Sequence, residues 1–252
     1  MKAKKFIDLN CDMGESYGSW TMGNDAAIMP FVSSVNIACG FHAGDPNIMM
    51  KTIYLAIQHG VHIGAHPGYP DLAGFGRRAI SMTPKEVYAA VLYQIGALAA
   101  IAQARGAKLH HVKPHGALYN LAAKDKVYAD AIADAIQALD SSLILYGLSG
   151  SELTRAGKDR GLSVFHEVFA DRTYQADASL TPRTEPNAIL KTVDAAIAQI
   201  VRILQTGEVI TVSGDALPIE ADTICLHGDH EGAAEFAKQI QQQLTDFDIS
   251  IR

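Results

Sequence analysis

Short apolar runs alternate with helix-like stretches along the whole chain. The runs are "KFIDLNCD", "SVNIACGFH", "GVHIGAHP", "KLHHVKPHG", "SLILYGLSG", "LSVFHEVFAD" and "DTICLHGD". Between them, "GDPNIMMKTIYLAIQHG" predicts a helix with Asp45 at the N-cap, Pro46 at the first helical position and Gly60 past the last turn. "MTPKEVYAAVLYQIGALAAIAQARG" opens with Thr83 and Glu86 in capping-box spacing around Pro84 and closes at Gly106. "SELTRAGKDRG" and "PNAILKTVDAAIAQIVRILQTG" also read as helices ending on glycine. Strand then helix, seven times over, predicts a parallel sheet with helices outside it. No linker or low-complexity segment interrupts the pattern, so residues 1–252 read as one domain.

The pattern within the strands separates an open sheet from a barrel. Residues two apart share a face. One face carries Asp8, Asn10 and Asp12, then Asn36 and His42, then His62 and His66. It continues with His111, Lys113 and His115, with Glu167 and Asp171, and with His227 and Asp229. The other face is apolar, as in Val35, Ile37 and Cys39 or Ile224 and Leu226. An open sheet covered by helices on both sides needs two apolar faces. One apolar and one polar face predicts a barrel lined by functional groups, with its site at the carboxyl ends of the strands.

Those ends gather the candidate chemistry. "ACGFHAGDP", "GAHPGYPD" and "KPHGALYN" place His42, His66 and His115 in tight, Gly- and Pro-containing turns, where the backbone approaches something closely. His59, in the last turn of a helix, reads as a structural dipole partner. His110 is expected to point toward the helices, and His62 toward the bottom of the barrel. Asp12 with His42 and His66 is a candidate one-carboxylate, two-histidine site for a divalent metal, although no HExxH or CxxC spacing accompanies it. Arg77 and Arg78, after "GFG", can clamp a carboxylate or phosphate or lie in solvent, and Arg172 beside Asp171 has the same two readings.

Composition narrows the function classes. The chain has 21 basic and 27 acidic residues, a net charge of −6, and no basic stripe, which argues against nucleic acid. No run approaches 18 uninterrupted apolar residues, so no membrane span or signal peptide is expected. Cys11, Cys39 and Cys225 are odd in number and widely spaced, which suits a reduced, cytoplasmic setting. No GxxxxGK[ST], GxGxxG or GxSxG motif occurs at a strand end, so P-loop and Rossmann nucleotide sites are not expected.

"DLNCDMGESYG", "MGNDAAIMPFVSSVNIACGFHAGDP", "GAHPGYPDLAGFGRR", "HVKPHGALYN", "EVFADRTY" and "ADTICLHGD" resemble, in order, the signature blocks of the LamB/YcsF family of 5-oxoprolinase components. The resemblance runs from about residue 7 to residue 230. It implies a distorted seven-stranded (β/α) barrel resembling the glycoside hydrolase/deacetylase superfamily. It also implies a hydrolase role in the ATP-dependent opening of 5-oxo-L-proline to L-glutamate, together with 5-oxoprolinase subunits B and C. Since this chain has no recognisable ATP motif, the ATP site is expected on those partners. Ala178 stands where the family often has glycine, and His230 follows the "HGD". Pro70 stands where deacetylases carry a second metal histidine.

On that reading Asp12 or Asp171 activates water, with His42 or His66 as the alternative base. Lys113 and His115 stabilise developing charge. Arg77, Arg78 or Arg172 hold the substrate carboxylate or a phosphoryl group, and Asn10, Glu167, His227 and Asp229 complete the binding set. A stand-alone metal-dependent amidase or deacetylase and a non-catalytic binding subunit remain open as alternatives, as does a homo-oligomer.

Overall fold

In a computed structural model, which describes residues 6–190, 192–226, 228 and 232–252, the seven expected strands close into a parallel barrel. They are β1 (Phe6–Met13), β2 (Ser34–Ala38), β3 (His62–His66), β4 (His111–Val112), β5 (Ile144–Leu148), β6 (Val164–Phe169) and, after an intervening hairpin, β9 (Thr223–Leu226). Each pairs with the next, β6 pairs with β9, and β9 returns to β1 through Asp8–Thr223 and Asn10–Cys225. The hairpin, β7 (Glu208–Ile210) with β8 (Ala216–Pro218), lies outside the barrel, and a short β10 (Ser250–Ile251) pairs with the start of β1.

The apolar face points outward. Ile7, Leu9, Cys11 and Met13 of β1, with Val35, Ile37, Ile63, Val168 and Ile224, are buried beneath the helices. The helical layer comprises α2 (Pro46–His59), α3 (Pro84–Ala104), α4 (Gly116–Ala122), α5 (Lys126–Leu139), α6 (Glu152–Asp159), α7 (Val193–Thr206) and α8 (Ala233–Asp246), after a short α1 (Asp25–Ile28). The predicted caps are present. Asp45 accepts from the Asn47 and Ile48 N–H groups, and Thr83 and Glu86 form the capping box. By length and composition α3 could cross a membrane, with a mean hydropathy of 1.5. In the fold it is an outer helix whose Val87, Val91, Ile95 and Leu98 are buried, and whose Gln94 bonds both the N–H and the carbonyl of Gly68.

Two local expectations need correcting. The helix expected from Pro186 begins only at Val193, with Thr192 as its N-cap. The residues before it are drawn back onto the barrel, where the Thr173 N–H donates to the Ala188 carbonyl and the Leu190 N–H to the Asp171 carbonyl. His110 does not turn toward the helices. It stacks on the exposed His62 with ring centroids 4.1 Å apart, and its Nδ1 meets His111 Nδ1 at 3.2 Å.

The barrel interior is polar from bottom to top. Asp8 accepts from Ser33, Ser34 and Thr223. Above it, Asn10 donates to Glu167 and Thr223, and Asn36 donates to Asn10 and Asp12. His111 lies flat against Tyr146 at 4.0 Å, and its Nε2 bonds Asn36 Oδ1 at 2.7 Å. The ring fills the space where a side chain at position 64 would project, and this close approach requires Gly64.

Candidate active site at the barrel mouth

A cavity of about 490 Å³ opens at the carboxyl ends of the strands, within the size range of small-molecule sites. Lys113 forms its floor. Its Nζ donates to Asp12 Oδ1 at 3.0 Å and Asn10 Oδ1 at 3.2 Å, and lies 2.8 Å from Glu167 Oε1 and 3.0 Å from Cys225 Sγ. Burial alone would drive the ammonium to lose its proton. The field of Asp12, with Cys225 and Glu167, outweighs burial and holds the Lys113 pKa well above its ordinary value. Glu167 is in turn held by the Tyr119 hydroxyl, which donates at 2.6 Å. The floor therefore carries a fixed ammonium, held among Asp12, Asn10 and Glu167.

A histidine cluster stands beside it. His66 Nδ1 is 2.7 Å from the Lys113 carbonyl, His115 Nε2 is 2.8 Å from the Phe75 carbonyl, and His66 Nε2 is 3.0 Å from His115 Nδ1. His42 stacks on His115, with centroids 3.8 Å apart and planes within 2°. Burial, then the neighbouring imidazoles, holds His42 well below the ordinary histidine range and brings His115 down to about 3, so both rings are neutral near pH 7. Glu15 completes a group of four residues whose ligand atoms lie within 4.8 Å of one another, a set that could hold a metal ion. The 71–78 loop packs on these rings at Gly76, where φ is +63° and an added Cβ would meet His42 and His115 at 2.8–2.9 Å.

The far wall comes from the segment after β6. Arg172 and Arg183 line it with Ser179 to Thr184. The buried Arg172 guanidinium donates to the carbonyls of Thr181 and Ala188 and so ties that segment down. Burial, reinforced by Arg183, lowers its pKa to about 10, which leaves it charged at neutral pH. In the same segment Ala178 has φ +64°, a conformation that suits glycine.

The residues singled out from sequence divide into three groups. Asp12, His66, Arg77, Lys113, His115 and Arg172 line the cavity. His42 sits behind the His66–His115 pair, while Asn10 and Glu167 lie below the floor and reach it through Lys113. Arg78 turns away into an ion pair with Asp71, and Asp171 is buried outside the lining. His227 and Asp229 fall outside the described residues. Sequence reasoning missed Glu15, Tyr119 and Cys225. Glu15 lies three residues past Asp12 and Tyr119 four past His115, both on segments already singled out, and Cys225 shares the inward face of β9 with Thr223.

The LamB/YcsF family matches residues 7–252. Curated relatives include the 5-oxoprolinase A component of Geobacillus kaustophilus, 59% identical over 98% of this chain and 96% of that protein. The Bordetella pertussis protein of the same name is 56% identical over 98% of both chains. Among solved structures, a lactam utilization protein from Thermus thermophilus superposes with a TM-score of 0.92 at 44% identity, covering 98% of this chain and 99% of its own. An Enterococcus faecalis protein described in terms of cellobiose-phosphate cleavage shares the fold, with a TM-score of 0.60 at 12% identity over 99% of this chain and 97% of its own.

Proposed function

The chain belongs to the LamB/YcsF family, and from that premise we propose that it opens the lactam of 5-oxo-L-proline to L-glutamate as one component of an ATP-dependent 5-oxoprolinase. The names of its relatives support the reaction, and their designation as one subunit of that enzyme supports the assembly. The observation that supports it most directly is Lys113, a buried ammonium under a cavity walled by Arg77, Arg172 and Arg183. One cation meets the lactam oxygen, and the others meet the carboxylate that every 5-oxoproline carries.

Ring opening adds a water oxygen to C5, breaks the C5–N bond and leaves a proton on the ring nitrogen. A lactam resists this because it is a resonance-stabilised amide, so the carbonyl needs activation. We assign that activation to phosphorylation of the lactam oxygen by ATP on partner subunits B and C, with ADP leaving, since this chain carries no phosphate-cradling motif. Ring opening then leaves the phosphoryl group on the new side-chain carboxyl, and a further water releases it as inorganic phosphate. In this barrel Asp12, between Lys113 and His66, takes the proton from the attacking water, and Lys113 stabilises charge on the oxygen. The requirement for ATP suits a cytoplasmic assembly.

The histidine cluster favours a second reading, a stand-alone metal-dependent amidase. One assay separates the two: glutamate release from 5-oxoproline by this chain alone and with both partners, each with and without ATP. Release only with partners and ATP is expected. Steady release by the isolated chain without ATP selects the amidase instead.

A further inference from the structure

The hydrogen bonds of His66 and His115 fix which nitrogens are bare. A carbonyl oxygen only accepts, so His66 Nδ1, against the Lys113 carbonyl, and His115 Nε2, against the Phe75 carbonyl, each carry a hydrogen. With those hydrogens placed, the remaining nitrogens, His66 Nε2 and His115 Nδ1, face each other at 3.0 Å, and only one added proton or a metal ion can lie between them. Two lone pairs at that separation repel unless a cation lies against both. Carboxylate oxygens converge on the same spot, with Asp12 Oδ2 3.4 Å from His66 Nε2 and Glu15 Oε1 3.9 Å from His115 Nδ1.

His42 identifies the cation. Its ring is fully buried, yet neither nitrogen has a hydrogen-bond partner among the described residues, and an orphaned buried polar group of this kind needs an explanation. A proton shared by His66 and His115 would relieve their repulsion and leave His42 as it is. A metal ion can take one nitrogen from each of the three rings, His42 included.

We propose that His42, His66, His115 and Glu15 bind one divalent transition-metal ion, and that Asp12 is positioned beside it. One ligand atom from each of the four lies within 4.8 Å of the others. Coordination bonds of about 2.0–2.2 Å set opposite ligands roughly 4 Å apart, so small side-chain rotations close the set. Three imidazoles and one carboxylate select zinc or a neighbouring late first-row ion over magnesium or calcium, which prefer all-oxygen sites. The carbonyls of Lys113 and Phe75 already orient two rings, as outer-shell acceptors do at histidine–metal centres. His66, His115 and Glu15 line the cavity while His42 does not, so the ion has one side toward substrate. Bound there, it would supply Lewis acidity to a carbonyl or to water.

The inference rests on side-chain geometry and not on the identity of the substrate, so the isolated full-length chain tests it without turnover. The chain is stripped with a chelator, reloaded with Zn²⁺ or Co²⁺ alone, and freed of excess metal by gel filtration. Elemental analysis should find one equivalent, and the Co²⁺ form should show visible absorption that Zn²⁺ displaces. His42→Asn and His115→Ala should each weaken Zn²⁺ binding by more than the roughly 10–100-fold that loss of an outer-shell partner costs. The His62→Ala/His110→Ala double variant, which removes the other stacked pair, should bind as wild type does. Nitrogen-15 shifts of the wild-type histidines provide a readout that needs no variant. Less than a tenth of an equivalent retained by the folded wild type overturns the proposal. Binding unaffected by both ligand substitutions overturns the ligand set.

Discussion

The ammonium of Lys113 on the end of β4 and the carboxylate of Glu167 on β6 meet across the barrel at 2.8 Å, both side chains buried. Neither strand neighbours the other, so this contact braces the interior as well as charging the floor. Lys113→Met removes the cation and strands Glu167, and should cost about 3–5 kcal/mol in urea unfolding. Adding Glu167→Gln should recover part of that loss. Additivity of the two substitutions in a double-mutant cycle would show that the pair does not interact as described. In the assembled enzyme, Lys113→Met should slow ring opening by on the order of a hundredfold or more.

Arg77 and Arg78 are adjacent in sequence but serve different ends. Arg77 lines the cavity, whereas the exposed Arg78 is committed to the buried Asp71 carboxylate. Because Arg77 is partly solvated, Arg77→Gln should raise KM about tenfold, roughly 1.4 kcal/mol. Arg78→Gln should leave KM within a factor of about two. Equal effects from the two would place the anion contact elsewhere.

Ala178 holds a left-handed backbone conformation, φ +64°, in a turn closed by its own N–H donating to the Gln175 carbonyl. Glycine relieves the clash of Cβ with the following carbonyl but adds freedom to the unfolded chain. The balance should favour Ala178→Gly by about 0.5–1 kcal/mol, read as a rise in Tm. A lower Tm would mean that the alanine methyl contributes packing that outweighs the strain.

Asp45 accepts from the N–H groups of Asn47, Ile48 and, from the 14–24 loop, Gly18. The Gly18 bond, then that of Ile48, holds its pKa below the ordinary aspartate value. A depressed carboxylate contributes stability above its unfolded pKa, and the contribution fades as pH falls through the folded value. Asp45→Ala should therefore cost about 1–2 kcal/mol at pH 7. The gap between variant and wild type should narrow below about pH 4. A pH-independent difference would assign the loss to packing instead of to the cap.

The barrel is legible in the sequence because each strand keeps a two-residue alternation, and a covering layer of helices accepts only one apolar face. Asp45, Thr83 and Gly60 mark helix ends through chemistry that is local to a few residues. What stays hidden depends on partners far along the chain. Nothing near Arg78 announces that Asp71 captures it while Arg77 faces the cavity. Cys225 reads as a small apolar residue until Lys113, 112 positions away, is seen to approach it. Helix α5 is a different case: "KVYADAIADAIQAL" after Asp125 carries a clear helical period, and nothing beyond its own residues is needed to find it. The start of α7 misleads because Ala188, Ile189 and Leu190 suit a helix after Pro186, while tertiary bonds of Ala188 and Leu190 hold that stretch to the barrel.

The wall formed by residues 175–187 hangs from the barrel rim chiefly through Arg172, Thr173 and a few backbone bonds. Tyr174 before it, by contrast, is sunk in the core, and the floor is woven into strands on opposite sides of the barrel. Change therefore carries unequal risk in the two places. A substitution under Lys113 disturbs folding and chemistry together, but the hanging wall can be recut in length and composition while the barrel stands. Relatives that handle a larger or differently charged cyclic amide should diverge from this chain in that one stretch, and grafting it between them is the natural route to exchanging what the mouth admits.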